Sequence, residues 1–236
     1  MINRSDTSAI QHAGGMPPAH PHDTQITLPG LMMAWGCGWA ISRGLPKPVE
    51  VPGGFRADVG LRGHRIRYVL HTWDIDLLEA LALRVSAPGT WIMVSGSTTG
   101  LRSVLTERWT MDNVGYLMSV PFTVGTGDLP APYETRITMD GDVVVATVID
   151  ATGATAASGR LAAAGQYGVI DQVETAPAHR RRGLGTAVML ALCDHAARNG
   201  LGIGILVATN DGRRLYRALG WTVQSEIAAA YVRERD

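Results

Sequence analysis

The sequence has little cysteine and no excess of either charge. Cys37 and Cys193 are the only cysteines in 236 residues, and neither lies in a Cys-x-x-Cys or Cys/His pattern, which favours a reducing compartment over a disulfide framework. The 21 basic residues balance 21 acidic ones, so no overall field draws the chain to nucleic acid or to an anionic membrane. We therefore expect neither of these as a partner.

Long apolar runs are also missing. The most apolar stretch, residues 31–41, is interrupted by Gly36 and Gly38 and falls well short of the roughly 20 residues that a membrane-spanning helix needs. The amino end before it has neither a clustered basic region nor a small-residue cleavage motif, so we predict no signal peptide. These absences favour a cytoplasmic protein.

The amino end also lacks apolar periodicity. Residues 1–27 are rich in His, Pro, Gly, Ser and Thr, a composition that predicts a flexible tail. Its histidines, His12, His20 and His22, have no metal-ligand spacing. His64 and His71 have odd spacing, which places them on opposite faces of a predicted strand. We predict no metal site.

Apolar spacing and turn residues predict an α/β protein throughout the rest of the chain. In the first part we expect helices at residues 31–43 and 76–84 and strands at 54–60, 64–72 and 91–94. In the second part we expect strands at residues 135–139, 143–148, 158–163, 169–175, 203–208 and 221–227 and helices at 183–198 and 212–219. This alternation predicts a mixed central sheet with helices on both faces.

The most informative segment joins a short apolar strand to a helix through a basic turn with two glycines. The turn reads Arg180-Arg-Arg-Gly183-Leu-Gly185-Thr186. At such a helix start the backbone amides are free and the helix dipole is positive, and the glycines let a ligand approach the main chain. The turn therefore predicts a pyrophosphate site. Neither a P-loop nor a dinucleotide-binding glycine pattern is present.

The spacing Arg-x-x-Gly-x-Gly is the acetyl-coenzyme A (acetyl-CoA) signature of the GNAT acyltransferases, and the chain resembles that superfamily here. Three further features agree with it in order: Thr175-Ala-Pro177 at a strand exit, Asn210 after the next strand, and the run from Leu215 and Tyr216 to Gly220 and Trp221. The resemblance covers mainly residues 140–225. It implies the GNAT fold, with a mixed, mostly antiparallel sheet, a V-shaped cleft between two splayed parallel strands, and here an N-terminal α/β extension.

The resemblance implies how acetyl-CoA, as cosubstrate, would bind. The pyrophosphate would lie on the backbone amides of the turn, namely those of Arg181, Arg182, Gly183, Leu184, Gly185 and Thr186, with Arg180 near it as a cation. Main-chain groups of Val173, Glu174 and Thr175 would pair with the pantetheine arm in the manner of an added strand. Asn210 would bond a pantetheine amide, or else act as the N-cap of the next helix.

Three side chains are candidates for proton transfer. Tyr216 stands four residues before Gly220, as the family's thiolate-protonating tyrosine does, and a phenol is a suitable donor; the alternative is a tyrosine that only packs. Asp171 and Glu174 are candidate bases for the ammonium proton. Strict alternation puts them on opposite strand faces, with Asp171 on the face of Val173 and Thr175, so at most one would face the cleft. A salt bridge, or a water chain as the base, is the alternative.

The implied activity is acetyl-CoA-dependent N-acetylation of a small polar amine by direct transfer in a ternary complex. The whole chain is also similar to the kasugamycin 2′-N-acetyltransferase type, so the leading expectation for the acceptor is an aminoglycoside, with antibiotic resistance as the role. The alternatives are acetylation of a peptide N-terminus or an amino acid, and a regulatory module that binds acetyl-CoA without turnover. The oligomer to look for first is a homodimer.

We predict three parts: the tail over residues 1–27, an α/β region over 28–120 that shapes the acceptor site, and an acetyl-CoA-binding core over 121–236. The middle part is either an enlarged version of the family's first strand and helices or a degenerate second acyltransferase-like half. A polycationic acceptor would need carboxylates; the candidates are Asp171, Glu174, Asp74, Asp76, Glu79, Glu107 and Asp112. One or two of Trp35, Trp39, Trp73, Trp91 and Trp109 are expected to line its pocket.

Overall fold

A computed structural model of the chain describes residues 26–125, 127 and 129–234. Most of the predicted tail, including His12, His20 and His22, lies outside the described residues. The helices are α1 (Leu28–Ser42), α2 (Ile75–Arg84), α3 (Thr98–Val104), α4 (Leu184–Arg198) and α5 (Asn210–Ala218). The strands are β1 (Val49–Val51), β2 (Gly54–Leu61), β3 (His64–Leu70), β4 (Thr90–Ser95), β5 (Trp109–Met111), β6 (Gly115–Pro121), β7 (Glu134–Asp140), β8 (Val143–Ile149), β9 (Thr155–Ala164), β10 (Tyr167–Thr175), β11 (Ile203–Ala208) and β12 (Thr222–Val232).

These strands form one sheet in the order β1-β2-β3-β4-β12-β6-β11-β10-β9-β8-β7, with β5 paired to β12. The β3–β4 and β10–β11 pairs are parallel, and the other pairs are antiparallel. The prediction of an α/β fold with a mixed, mostly antiparallel sheet is therefore confirmed.

Helices cover both faces of the sheet. On one side, Trp35 and Trp39 of α1 belong to a buried cluster with Phe55, Val69 and Val169; we call this side the α1 face. Side chains of α4 pack on the other side, the α4 face, together with residues of β8, β9 and β11. A third cluster joins α2 and α3 to β4 and β12. Side chains along β4 alternate between the two faces of the sheet. Met93 packs in the cluster with α1, whereas its neighbours Ile92 and Val94 pack in the cluster with α2 and α3.

The turn chemistry explains where the helices begin and end. The hydroxyl of Thr27 accepts a hydrogen bond from the Gly30 amide at the start of α1, and a proline lies in that first turn. After α1 ends, Gly44 has φ +64°, and Gly200 has φ +79° beyond α4. Both glycines therefore take the left-handed conformation that commonly ends a helix.

The chain repeats one order of elements in its two halves. The hairpin β2–β3, the helix α2 and the parallel strand β4 correspond to the hairpin β9–β10, the helix α4 and the parallel strand β11. Each half then adds a helix and a strand, but the strands are exchanged: β6 lies beside β11, and β12 lies beside β4. This topology favours the alternative of a second acyltransferase-like half, and the predicted boundary at residue 120 falls within β6.

Both cysteines are free thiols. No helix in the described ranges is long and apolar enough to cross a membrane. Within those same ranges, His, Cys, Asp and Glu side chains form no group of three or more that could hold a metal ion.

Candidate active site

The parallel strands β10 and β11 separate partway along their length. Their register runs only from Tyr167 opposite Ile203 to Val169 opposite Ile205, whereas β10 continues to Thr175 and β11 to Ala208. Beyond Val169 the inner edge of β10 has no register partner on β11. The two strands thus form a cleft with an open main-chain edge, which an extended ligand can complete as an added strand.

A β-bulge interrupts β10 at the point where it enters this cleft. Asp171 is opposite Arg160 and Glu174 is opposite Ser158 on β9, so Gln172 and Val173 together oppose one residue. Gln172 takes a left-handed conformation with φ +52°. The extra residue turns main-chain groups of the strand away from the regular ladder, which makes them available to a ligand in the cleft.

The bulge corrects the prediction about the faces of β10. Because Arg160 and Ser158 are two residues apart on β9, their partners Asp171 and Glu174 lie on the same face of β10 and not on opposite faces. Asp171 contacts Ser42 and Arg43 at the end of α1, so this is the α1 face. Val173 packs in the α4 cluster instead, so Asp171 does not share its face.

The turn after β10 exposes several backbone amides at the start of α4. Its N-cap is Gly183, with φ +78°, and no side chain caps the helix. Arg181 is also left-handed, with φ +64°. Alternating conformations of this kind form a concave nest of N–H groups that binds anions, and here the nest adjoins the positive end of a helix dipole. Residues 181–186, which are predicted to hold a pyrophosphate, therefore present backbone N–H groups in an arrangement typical of anion sites.

The glycine at position 185 allows this helix start to lie close to its neighbours. A Cβ added there would lie 3.3 Å from Leu215 Cδ2 on α5 and 3.7 Å from Thr175 Oγ1 on β10. Leu184 is buried, so only its main chain can face a ligand. The turn thus presents backbone to the ligand, with its apolar side chain directed into the core.

Two of the three arginines of the turn are held by the protein. The Arg180 side chain donates to the carbonyl of Thr175 at 3.2 Å. Arg182 donates to the Tyr133 hydroxyl at 2.7 Å, and that hydroxyl also pairs with His179 Nδ1 at 2.9 Å. These contacts fix two cations beside the free amides. Sequence reasoning missed Tyr133 and His179, because no spacing connects a loop residue to a turn 46 residues later.

Beyond the end of β11, the helix α5 packs against β11 and β6. The hydroxyl of Thr209 accepts from the Gly212 amide, so Thr209 is the N-cap of α5, and the alternative that Asn210 is the N-cap is wrong. Asn210 Oδ1 instead accepts from the Tyr116 hydroxyl at 3.0 Å. The Arg213 guanidinium lies over the Tyr116 ring, 3.9 Å from its centroid.

Tyr216 lies on α5 with its ring 6.1 Å from that of Trp221. Burial and, to a lesser degree, the Asp171 carboxylate raise the pKa of Tyr216 to about 12. Both effects disfavour the phenolate. Tyr216 therefore stays a protonated donor at neutral pH.

Comparison with known proteins agrees with this geometry. Residues 115–221, from the first residue of β6 to the residue before β12, match the model of the acetyltransferase (GNAT) family. This segment of the chain is therefore similar to a GNAT acetyltransferase domain. Among curated proteins, none matches the chain significantly.

Solved structures extend the GNAT likeness over most of the chain. A GCN5-related N-acetyltransferase from Kribbella flavida has a TM-score of 0.61 at 16% identity, covering 87% of this chain and 96% of that one. One from Sphaerobacter thermophilus has a TM-score of 0.58 at 14% identity, covering 77% and 78%. A tandem GNAT protein from the clavulanic acid biosynthesis pathway has a TM-score of 0.50 at 13% identity, covering 68% and 70%. At these identities the likeness confirms the GNAT fold.

The two candidate bases on β10 have different surroundings. Asp171 accepts from Arg43 Nε at 2.7 Å, Arg43 Nη2 at 3.2 Å and Ser42 Oγ at 3.0 Å. Its side chain is only 17% exposed, and the salt-bridge alternative describes its observed state. Glu174 is exposed, and within the described part of the chain its carboxylate has no ion pair.

Aromatic and cationic side chains gather on the α1 face at the same end of the sheet. The Arg67 guanidinium lies 4.6 Å from the Trp39 ring centroid and 5.7 Å from that of Trp91. Trp91 stacks on Tyr231, and Trp39 also contacts Arg43, which is bound to Asp171. We call Trp39, Arg67 and Trp91, with their neighbours His64 and Tyr231, the aromatic cluster. Its two tryptophans are among the five singled out in the sequence; Arg67 was missed because nothing local distinguishes it from other strand arginines.

Proposed function

We propose that the protein is an acetyl-CoA-dependent N-acetyltransferase that transfers an acetyl group directly to a primary amine in a ternary complex. One observation carries the proposal: the open edge of β10 leads straight into the free amides at the start of α4. The first can pair with the amides of a pantetheine arm, and the second can hold its pyrophosphate. A ligand with both features, joined end to end, is coenzyme A.

The chemistry follows from this placement. The nitrogen of the neutral amine attacks the thioester carbon, and the carbonyl oxygen gains negative charge that main-chain donors of the β10 bulge can stabilise. When the tetrahedral intermediate collapses, the C–S bond breaks and its electrons go to sulfur. The Tyr216 hydroxyl can then donate its proton to the thiolate. The proton that the nitrogen loses as it becomes an amide restores the Tyr216 hydroxyl, directly or through water. The residues pre-arranged around the cleft supply orientation as well as proton transfer.

Of the two carboxylates, we propose Glu174 as the group that takes the proton from the ammonium. The oxygens of Asp171 already accept three hydrogen bonds from Arg43 and Ser42, so Asp171 is better suited to position the end of α1. Glu174 follows the bulge on the same face and is exposed. It can therefore meet an acceptor that enters from the α1 face, directly or through a water.

The aminoglycoside acceptor predicted from the sequence, such as kasugamycin, belongs to this proposal as its finer form. It requires a carboxylate-rich pocket, and the candidates differ in placement. Asp74 and Asp76 follow the carboxyl end of β3, which is antiparallel to β10 within the sheet, so they lie at the sheet end away from the cleft. Asp112, whose amide bonds to the Ala229 carbonyl, lies at the cleft end. Of these candidates, Asp171, Glu174 and Asp112 lie at the cleft end of the sheet.

A regulatory module that binds acetyl-CoA without turnover is the second candidate, and Tyr216 separates the two. We expect Tyr216→Phe to lower kcat by about 10²-fold, within the range of a general acid, and to leave the dissociation constant for acetyl-CoA unchanged. Thiol release measured with a panel of amines, including aminoglycosides, polyamines, amino acids and peptides, gives kcat, and calorimetry gives the affinity.

Tyr167→Phe is the matched control, because Tyr167 begins β10 at the end away from the cleft. It should keep the wild-type kcat. If every amine fails with the wild-type protein while acetyl-CoA still binds tightly, the enzyme proposal gives way to the binding module.

A further inference from the structure

The aromatic cluster holds a cation that the proposed acetyl transfer does not use. Arg67 is half-buried on β3, and its Nε donates to His64 Nε2 at 3.0 Å. Within the described residues no carboxylate lies within ion-pair distance of its guanidinium. Its Nη1 and Nη2 groups are not among the buried polar atoms that lack a partner. Because Arg67 is partly exposed and these two groups make no hydrogen bond within the described residues, they can donate to a ligand.

The surroundings of Arg67 favour an anion there. The Arg43 guanidinium flanks the same Trp39 ring at 5.4 Å, but Asp171 neutralises it. Burial, and then Arg43, lower the pKa of Arg67 to about 10, and the carboxylates of Asp171 and Asp112 oppose this only partly. Arg67 is thus a protonated cation at neutral pH whose charge is incompletely compensated. A bound anion would supply the missing compensation.

The shape of the cluster favours a planar anion. The Cζ of Arg67 lies over Trp39 and near Trp91, so flat rings border the guanidinium. A carboxylate that pairs with the guanidinium through two parallel hydrogen bonds lies in the same plane and fits against the same rings. A tetrahedral phosphate does not share that flat shape.

The cluster lies at the cleft mouth. His64 and Arg67 belong to the amino-terminal end of β3 and Trp91 to that of β4. The sheet register brings these ends to the side where β10 ends. Asp171 of β10 connects to the cluster through Arg43 and Trp39. An acceptor whose amine reaches the cleft can therefore place its other end on Arg67.

We propose that Arg67 binds a carboxylate of the acceptor, so that the amine acetylated by this protein belongs to an amino acid-like molecule with its carboxylate held by the Arg67 guanidinium beside Trp39. This inference rests on the proposed acetyl transfer for the role of the amine. It makes an acceptor with cations at both ends, as in an aminoglycoside, a poor fit for this part of the site.

Three probes of nearly equal shape test the proposal: 4-(aminomethyl)benzoate, 4-(aminomethyl)benzamide and 1,4-bis(aminomethyl)benzene. They carry the same amine and differ in the charge at the far end. With the full-length protein and acetyl-CoA, we expect kcat/KM to fall in that order, with the acid preferred over the diamine by about 10²-fold, a typical value for a charge-assisted pair against a repulsive one. A preference for the amide or the diamine overturns the proposal.

Variants of Arg67 locate the effect. We expect Arg67→Gln to raise KM for the acid by at least about 10-fold, to change KM for the amide little, and to leave the acetyl-CoA affinity intact. Arg65→Gln is the matched control, because Arg65 lies two residues away on β3 and its side chain is bound to Glu234. It should keep the wild-type preference. An equal loss for all three probes in Arg67→Gln would assign Arg67 a structural role only.

Arg67 also packs against two indoles, so thermal unfolding accompanies each variant. If Arg67→Gln does not fold, Arg67→Lys decides, since lysine keeps the charge and loses the planar fork. It should retain the order of preference with several-fold weaker selection for the acid, and unchanged selection contradicts the proposed pairing.

Calorimetric binding of the acid and the amide, without acetyl-CoA, separates this inference from the proposed function. Tighter binding of the acid without acetylation of any amine would leave the carboxylate site standing and overturn the transferase. Equal binding of the acid and the amide, with turnover of other amines, would overturn the carboxylate site and leave the transferase standing.

Discussion

The two halves of the sheet share an order of elements, yet only one of them has an open ligand cleft. In the carboxy-terminal half, β10 and β11 pair over three residues and then separate. In the amino-terminal half, β3 and β4 stay paired from Ile66, which is opposite Thr90, to Leu70, which is opposite Val94. Leu70 is the last residue of β3, so this pair does not separate before β3 ends. The same strand–helix–strand connection therefore leaves an open main-chain edge between β10 and β11. Between β3 and β4 that edge is used by hydrogen bonds of the sheet itself.

The helix that follows each strand shows the same contrast. The start of α4 has a glycine N-cap and free amides. At the start of α2 the Asp74 carboxylate accepts from the Leu77 amide, and Asp76 lies in the first turn. An anion of the protein thus occupies the position that a pyrophosphate would take. Topology alone does not make a coenzyme site; the strand separation and the capping residue decide it.

The exchange of β6 and β12 predicts that neither half folds without the other. In β6, Leu117 and Met118 are fully buried, and each such side chain contributes about 1.5–3 kcal/mol, so losing the strand removes much of the roughly 5–15 kcal/mol of a typical protein. We expect the carboxy-terminal half, expressed from β7 onward, to be unfolded by circular dichroism. The two halves, coexpressed as separate chains cut between β6 and β7, should associate and recover acetyl-CoA binding. A cooperative thermal transition of the carboxy-terminal half alone would contradict the interdependence.

A negative charge placed at the start of α4 should abolish the coenzyme binding that we expect only in the carboxy-terminal half. We expect Gly185→Glu to weaken acetyl-CoA binding by about 10³-fold, because like charges about 4 Å apart near a surface repel by about 4 kcal/mol. Calorimetry measures the affinity, and Gly185→Gln, with the same bulk and no charge, gives the steric part. The control in the other half is Asp74→Ala, which should cost about 1 kcal/mol of stability through the lost N-cap and leave the affinity unchanged. Near-normal binding by a folded Gly185→Glu variant rules out the pyrophosphate site.

The sequence predicts some helices and strands accurately and misses others, depending on whether their signals are local. The strand Ile203–Ala208 was predicted residue for residue, and α4 within one residue, since apolar periodicity and glycine stops are local signals. The strand β6 was missed. Its run of four buried residues from Tyr116 to Ser119 has no alternation, because both faces are covered, and its pairing with β11 and β12 involves distant segments.

The site itself was predicted unevenly for a similar reason. The helix start within the Arg-x-x-Gly-x-Gly turn follows from a contiguous motif, which is a local signal. The β10 bulge depends on a left-handed Gln172, and glutamine carries no sequence signal for that conformation. Its consequence, the shared face of Asp171 and Glu174, was therefore predicted wrongly. Arg67 and Trp39 meet only through tertiary packing, and local patterns do not report such contacts.

The smallest expected effect is a loss of stability at acidic pH that arises from His64 in the amino-terminal half. Burial, followed by the charges of Arg67 and Arg43, lowers the pKa of His64 to about 3. The lowered pKa means that folding favours neutral His64, so this stability is present above the unfolded pKa of about 6.5 and is lost as the pH falls toward 3. Glutamine at this position can still accept from Arg67 Nε and does not titrate.

Between pH 7.5 and 5.0 we expect the free energy of unfolding of the wild-type protein to fall by about 1 kcal/mol more than that of His64→Gln, after allowing for partial exposure. The difference is about 2–4 °C in Tm, measured by scanning calorimetry, with His195→Gln on α4 as the control in the other half. Equal slopes for the wild type and His64→Gln would mean that the charge of His64 does not matter to the packing of the aromatic cluster.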